Sequence, residues 1–154
     1  MLTLYCDYSF DRRTNICTWG CVIFYKKKQY TYCDYKVISA GETFGELWAI
    51  VKGLGKVKAF PQKKILICTD YQEIVNVFQK LSKVKPRNYK KTIQKFSCSP
   101  IAKTMYYTLT TYMQSTNLTI TKIPRTENPA HHLARKALYQ ARAELGQQTE
   151  SATP

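Results

Sequence analysis

Three acidic residues stand at the edges of apolar segments in a chain that has few acids. Asp7 follows Leu-Thr-Leu-Tyr-Cys, Asp70 follows Ile-Leu-Ile-Cys-Thr, and Glu46 lies near the start of a segment with helical spacing. The chain has 24 Lys and Arg residues against 10 Asp and Glu. Carboxylate oxygens suit Mg²⁺ and Mn²⁺, and an acidic cluster repels nucleic acid unless such cations lie between the two. The pattern therefore predicts metal-dependent phosphodiester chemistry on a basic protein.

The first part of the chain predicts an antiparallel meander that carries Asp7. Segments rich in apolar, aromatic and β-branched residues cover residues 2–9, 18–25 and 29–37, and short polar connections join them. Helical spacing then begins, with Thr43 as the predicted N-cap and Glu46 completing a capping box.

The second part of the chain alternates strands and helices. We predict strands over residues 65–68 and 118–123, because the first is continuously apolar and the second alternates. Helices are predicted over residues 72–81, 101–113 and 129–145, and the last begins with a proline, a favoured first-turn residue.

This order of elements predicts an α/β fold with one mixed five-stranded sheet, in which two parallel strands extend the three-stranded antiparallel meander and helices flank the sheet. A right-handed crossover places Asp70 on the strand next to that of Asp7, at the strand ends where functional groups of open α/β sheets collect. We predict a single domain over residues 1–145. Gly146 is expected to end the last helix, leaving residues 146–154 as a polar, disordered tail.

Composition limits the classes of function. The net charge of +14 and the pI of about 9.6 favour a polyanionic partner. No apolar run approaches the roughly 20 residues that span a bilayer, and the N-terminus lacks the basic region of a signal peptide. We therefore expect a cytoplasmic protein that does not associate with membranes. Nothing indicates an obligate protein partner, and we expect a monomer.

The six cysteines are expected to be reduced thiols, because a chain of 154 residues can form a core without disulfides. Cys17 and Cys21 have a spacing compatible with zinc, but no second Cys or His pair accompanies them, which favours packing.

Each acid has a simpler structural alternative. Glu46 could be only a helix cap, and Asp70 could cap the helix that follows it. Asp7, in an apolar strand, is the hardest to explain in this way. If the three converge without a basic partner, either their protonation is altered or a cation is present. We favour two Mg²⁺ or Mn²⁺ ions about 4 Å apart, which would activate a water and stabilise the leaving oxygen.

Five short segments, in order and spacing, resemble type 1 ribonuclease H, including the RNase H domains of reverse transcriptases. The resemblance covers about residues 2–142. The segments are Cys6-Asp7-Tyr8-Ser9 for T-D-G-S, Trp19-Gly20 at the start of the second strand, Glu46-Leu47 and Ala49 for M-E-L-x-A, Thr69-Asp70-Tyr71-Gln72 for T-D-S-Q, and Arg125 to Arg135 for R-x-x-N-x-x-A-D-x-L-A-R.

The resemblance implies an RNase H fold and an endoribonuclease that hydrolyses the RNA strand of RNA–DNA hybrids with two metal ions, leaving 3′-hydroxyl and 5′-phosphate ends. It implies that Asp7, Glu46 and Asp70 are catalytic metal ligands. The main alternative is an RNase H-like nucleic-acid-binding module with weakened or lost turnover. A resolvase or exonuclease of the same fold matches the segments less well.

His131 stands where the resemblance expects a fourth acid. Imidazole binds Mn²⁺ better than Mg²⁺ and can transfer a proton near neutral pH. Our hypothesis is that His131 is a catalytic metal ligand and shifts metal preference towards Mn²⁺. The alternative is a surface histidine in a weakened relative. His132 is expected to lie on the surface.

Two tyrosines replace small residues of the family pattern: Tyr8 replaces glycine and Tyr71 replaces serine. Tyr8 could stack on a sugar or base, or obstruct the groove. The basic segment around residues 83–91 could bind phosphates or be a solvated loop, and hybrid recognition would use minor-groove shape and 2′-hydroxyls. The predicted nucleic-acid-binding residues are Tyr8, Ser9, Tyr71, Gln72, Lys85, Arg87, Lys90, Lys91, Arg125 and Asn128.

Overall fold

The chain forms one mixed five-stranded sheet. A computed structural model describes residues 1–38, 45–61 and 64–152, with residues 147–152 described as backbone only. The strand order is β3-β2-β1-β4-β5. β1, β2 and β3 pair antiparallel, and β4 pairs parallel with both β1 and β5, so the predicted sheet is confirmed. The strands are β1 Leu2–Asp11, β2 Ile16–Tyr25, β3 Lys28–Val37, β4 Lys64–Thr69 and β5 Asn117–Lys122.

Five α-helices are described. They are α1 Gly45–Val57, α2 Gln72–Ser82, α3 Tyr89–Gln94, α4 Pro100–Ser115 and α5 Pro129–Ala152, with short 3₁₀ turns at Pro86–Asn88 and Arg125–Glu127. The predicted cap Thr43 lies outside the described residues. None of the helices in the described ranges is long and apolar enough to cross a membrane.

Two features differ from the predicted helices. The basic segment contains α3, which forms because Tyr89 and Ile93, four residues apart, are both buried in the core. The prediction that Gly146 ends the last helix is wrong, since α5 continues to Ala152. A glycine in a helix interior costs only about 1 kcal/mol relative to alanine, and Leu145 and Gln147 beside it are good helix formers.

Helices cover both faces of the sheet. α1 lies on the face of Leu4 and Cys6, both fully buried. α5 lies on the opposite face, where the Thr18 hydroxyl donates a hydrogen bond to the Ala134 carbonyl at 2.7 Å. All six cysteines are free; four of them are buried, and Cys33 is exposed. The site described below lies where α1 and α5 both approach β1.

Gly20 permits the close approach of α5 to the sheet. A Cβ at this position would lie 2.9 Å from the backbone nitrogen of Ala134 and 3.1 Å from the carbonyl oxygen of Ala130. Gly20 pairs with Asp7 across β1 and β2, so both residues face the same side of the sheet. The missing side chain therefore lets the start of α5 reach Asp7.

Candidate metal centre and its surroundings

Three carboxylates meet at the carboxyl ends of β1 and β4. The pairing of these strands ends at Tyr5 and Cys68, and the same register two residues further on brings Asp7 beside Asp70. Glu46 reaches them from the first turn of α1. One carboxylate oxygen from each of the three acids lies within 4.8 Å of the others. The structure thus brings together the three acids that the sequence singles out.

The protein environment disfavours full ionisation of this cluster. Asp7 is 3% exposed and Glu46 is 8% exposed. Burial, followed by the charges of Asp7 and Asp70, raises the pKa of Glu46 to about 9 from its usual 4.5. Burial and the charge of Asp70 also raise the pKa of Asp7, although His131 opposes this shift. In the metal-free protein this shift favours the protonated form of Glu46 at neutral pH.

One oxygen of this cluster is left without a partner. Glu46 Oε2 is buried and accepts no hydrogen bond within the described structure. A buried polar atom without a partner costs about 1–3 kcal/mol. A divalent cation would interact with this oxygen and would favour the ionised form of all three acids. The all-oxygen donor set and the orphaned oxygen fit a hard cation such as Mg²⁺ or Mn²⁺.

His131 lies against Asp7. Its Nδ1 is 2.7 Å from Asp7 Oδ2, and the His131 side chain is 20% exposed. Among the described residues, His131 does not join the group of three whose ligand oxygens converge. The histidine is thus at the site, as an orienting partner of one acid, and its role as a metal ligand stays a prediction. His132 is exposed, as expected.

Asn128 fixes the start of α5 to β1. Its side-chain amide donates to the Cys6 carbonyl at 2.8 Å, and its Oδ1 accepts from the Ala130 backbone N–H at 3.1 Å. Asn128 is only 2% exposed. The prediction of a direct nucleic-acid contact is therefore replaced by a positioning role, which holds the turn before His131. Asparagine followed by proline at a helix start is an N-cap pattern that could have indicated this role.

Three other residues that the sequence predicted to bind nucleic acid make side-chain contacts within the protein. Arg125 Nε is 3.4 Å from Asp70 Oδ2, and its side chain is 70% exposed. The hydroxyl of Tyr71 donates to Glu73 at 2.7 Å, and this bond is the main cause of a Tyr71 pKa raised to about 12. The Gln72 side-chain amide donates to Asn76 at 2.8 Å on the surface of α2.

Two cavities of different character open beside the acids. One, of about 400 Å³, has a wall of aromatic rings supplied by Tyr8, Tyr71 and Tyr106, and it also includes Glu73. We call it the aromatic cavity. The other, of about 390 Å³, extends along β1 and α5 and is lined by Ser9, His131, Tyr139 and three arginines, namely Arg125, Arg135 and Arg142. We call it the cationic cavity.

The sequence did not single out several residues of these cavities. Tyr106, Tyr139 and Arg142 are distant from the acids in sequence and become neighbours of the site only when α4 and α5 pack, as does Arg135, which the sequence marked only as the end of a matching segment. Arg142 also pairs with Asp11 at 2.7 Å, which holds it at the edge of the cationic cavity. Only the spacing of Arg135, Tyr139 and Arg142 on one helical face could have indicated a shared surface.

The predicted basic segment forms a third feature, apart from the acids. Pro86–Asn88 and α3 close a cavity of about 600 Å³ against the end of α2. Lys85, Arg87 and Lys91 line it, and the exposed Lys90 does not. Lys83 also lines it, as do Lys80 and Lys95, which the sequence did not single out. The segment thus contains helical turns with an exposed cationic surface, and phosphate binding by it stays a prediction.

Solved structures share this architecture. The N-terminal RNase H domain of Rv2228c from Mycobacterium tuberculosis has a TM-score of 0.69 at 16% identity, covering 94% of this chain and 97% of that domain. LC11-RNase H1, solved in complex with an RNA/DNA hybrid, has a TM-score of 0.70 at 19% identity, covering 92% and 99%. RNase H1 from the halophilic archaeon Halobacterium salinarum has a TM-score of 0.63 at 17% identity, covering 90% and 98%.

No protein-family model matches the sequence, and no curated protein sequence is detectably similar to it. At such low identity the structural likeness establishes the fold. The chain has the RNase H-like fold that the sequence predicted.

Proposed function

We propose that the protein is a metal-dependent endoribonuclease that hydrolyses the RNA strand of RNA–DNA hybrids. The observation that carries this proposal is the convergence of Asp7, Glu46 and Asp70 in an RNase H-like fold, with a buried Glu46 oxygen that lacks a partner. Structural acids are normally satisfied by hydrogen bonds or basic neighbours. A buried carboxylate held in an unfavourable state instead indicates a functional site.

Asp7, Glu46 and Asp70 would hold the divalent ions, proposed as two Mg²⁺ or Mn²⁺ ions. When bound, such ions supply an activated water and charge stabilisation for the leaving oxygen, giving 5′-phosphate and 3′-hydroxyl ends. His131 orients Asp7 through the 2.7 Å contact, so that the carboxylate faces its neighbours in one geometry. Arg125, at the rim, would contact a substrate phosphate because its guanidinium is largely exposed.

The surrounding charge supports a nucleic-acid substrate. The cationic cavity directly adjoins the acids, and the basic surface around α3 adds Lys85, Arg87 and Lys91 at a distance from them. A duplex that neutralises these groups would bind with a steep dependence on salt. Tyr8, Ser9, Tyr71 and Gln72 lie at the ends of β1 and β4, where they would meet the minor groove and its 2′-hydroxyls.

The experiment uses labelled RNA–DNA hybrid, double-stranded RNA and double-stranded DNA, each with Mg²⁺ and with Mn²⁺. We expect cleavage of the hybrid RNA strand and its loss in Asp70→Asn. Asp34→Asn, an acid-to-amide change at an exposed position on β3, is the matched control and should cleave normally. Cleavage that survives Asp70→Asn would reject the proposed site. Hybrid binding without cleavage by the unsubstituted protein would favour the non-catalytic module.

The role of His131 requires its own comparison. We propose that the histidine contributes to the metal centre and favours Mn²⁺ over Mg²⁺. His131→Ala should lower activity about 10–100-fold, as for other residues that orient a metal ligand. His131→Asp should shift the ratio of activities towards Mg²⁺. Equal activity of all three proteins in both metals would reject this role.

A further inference from the structure

The ring of Tyr8 rests on Gly45, next to Glu46. A Cβ built at Gly45 would overlap the Tyr8 ring, so the ring fills the space that a side chain at position 45 would need. Tyr8 is on β1 directly after Asp7, and Gly45 is the first residue of α1. The contact that only glycine permits at position 45 therefore holds the ring on the α1 side of β1, beside the residue that precedes Glu46.

Tyr8 also lines both cavities beside the acids. Tyr8, Glu46 and Arg125 line both of them. A strand that occupied both cavities would therefore pass these three residues.

The two cavities suit different parts of a nucleotide. The cationic cavity, which Asp7 and Glu46 also line, presents Arg135 and Arg142 to a phosphodiester backbone. The aromatic cavity presents the rings of Tyr71 and Tyr106, with both Glu73 and Arg125 in its lining, and these rings suit the face of a base or sugar. Tyr8 lies at the boundary between these environments.

We propose that Tyr8 is a specificity-determining residue that stacks on the nucleotide next to the scissile phosphate and directs the strand between the two cavities. Gly45 is its positioning partner, because any side chain there displaces the ring. This inference rests on the proposed function and deepens it by assigning the nucleotide contact. A purely structural role for Tyr8 is the alternative, since its partly buried ring also packs against the core.

The experiment measures hybrid binding in a background that carries Asp70→Asn, so that turnover does not interfere. Tyr8→Ala should weaken binding about 5–150-fold, the effect expected for losing one aromatic stacking contact. Tyr8→Phe should restore most of the affinity, because it keeps the ring. Gly45→Ala should weaken binding although Tyr8 is still present. Thermal unfolding of each variant monitors the fold.

A double-mutant comparison separates stacking from structure. Gly45→Ala should weaken binding strongly when Tyr8 is present and only slightly in the Tyr8→Ala background, because its effect acts through the ring. In the active protein, Tyr8→Ala should also change the positions of cleavage along a defined hybrid.

The outcomes distinguish the inference from the proposed function. Unchanged or tighter binding by a folded Tyr8→Ala variant would overturn the inference and identify the ring as an obstruction. Equal effects of Gly45→Ala in both backgrounds would overturn the coupling through Tyr8. If the unsubstituted protein neither binds nor cleaves hybrid, the proposed function fails and the inference fails with it.

Discussion

Replacing Glu46 with glutamine is expected to stabilise the metal-free protein at alkaline pH. The pKa of Glu46 is about 9 in the folded chain against a usual 4.5, because of burial and the charges of Asp7 and Asp70. Between these two pH values the folded chain holds a proton that the unfolded chain has released. The free energy of unfolding therefore falls as pH rises through this range. Below pH 4.5 Glu46 is protonated in both states and does not reduce it.

The magnitude follows from the same shift. Each pKa unit corresponds to about 1.4 kcal/mol. The raised pKa of Glu46 therefore lowers the free energy of unfolding by about 5 kcal/mol at pH 8 and about 1 kcal/mol at pH 5. The value at pH 8 is an upper limit, because the site can open to water instead of retaining the proton. We expect Glu46→Gln to raise the free energy of unfolding, relative to the unsubstituted protein, by about 2–4 kcal/mol at pH 8 and by less than about 1 kcal/mol at pH 5. A gain of that size at pH 8 would raise Tm by roughly 4–16 °C in a domain of this length.

Urea unfolding in EDTA at pH 5, 6.5 and 8 measures this dependence. Glu127→Gln, at an exposed position in the turn before α5, is the matched control and should change stability little at any pH. Addition of Mg²⁺ or Mn²⁺ should stabilise the unsubstituted protein more than Glu46→Gln, because a bound ion favours the folded state in proportion to its affinity. An equal effect of Glu46→Gln at pH 5 and pH 8, or a loss of stability at pH 8, would refute the reasoning.

Three further predictions concern the surroundings of the metal centre. Gly20→Ala should destabilise the fold by about 1–3 kcal/mol in urea unfolding, because the new methyl group collides with the backbone of α5; an unchanged stability would show that α5 can move away. Asn128→Ala should cost about 1–3 kcal/mol in the same assay, since it leaves the buried Cys6 carbonyl without its donor; a neutral effect would mean that water replaces the amide. The double substitution Lys85→Ala and Lys91→Ala should reduce the slope of log affinity against log salt by about 2, with unchanged folding; a slope equal to that of the unsubstituted protein would place the substrate elsewhere.

The strand order and the acidic cluster follow from local sequence patterns. The run of residues 65–68 is apolar at every position, as expected for a parallel strand that is covered on both faces. A right-handed crossover then leaves only one side of β1 for β4, because β2 occupies the other. Asp7 and Asp70 each follow the apolar part of their strand by a similar distance, so parallel pairing brings them together.

Other parts of the site depend on packing between distant segments. Arg135 and Tyr106 enter the cavities only because α5 and α4 pack beside β1 and α1. Asn128 could be read from sequence either as a surface contact or as a helix cap, and only its bond to Cys6 distinguishes these roles. The position of Tyr8 depends on Gly45, which lies outside the sequence motif around Asp7.

The residues that depart from the family pattern are accommodated by their neighbours, and the buried Glu46 supports the proposed metal centre. Tyr8 adds a ring where the resemblance expects glycine, and Gly45 supplies the room for it. His131 replaces an acid and opposes the upward pKa shift of Asp7. A binding module without metal would gain stability at neutral pH by replacing Glu46 with glutamine, which keeps the shape and removes the ionisation penalty. The chain instead keeps a buried carboxylate that is costly without a cation, as expected if a bound metal offsets that cost.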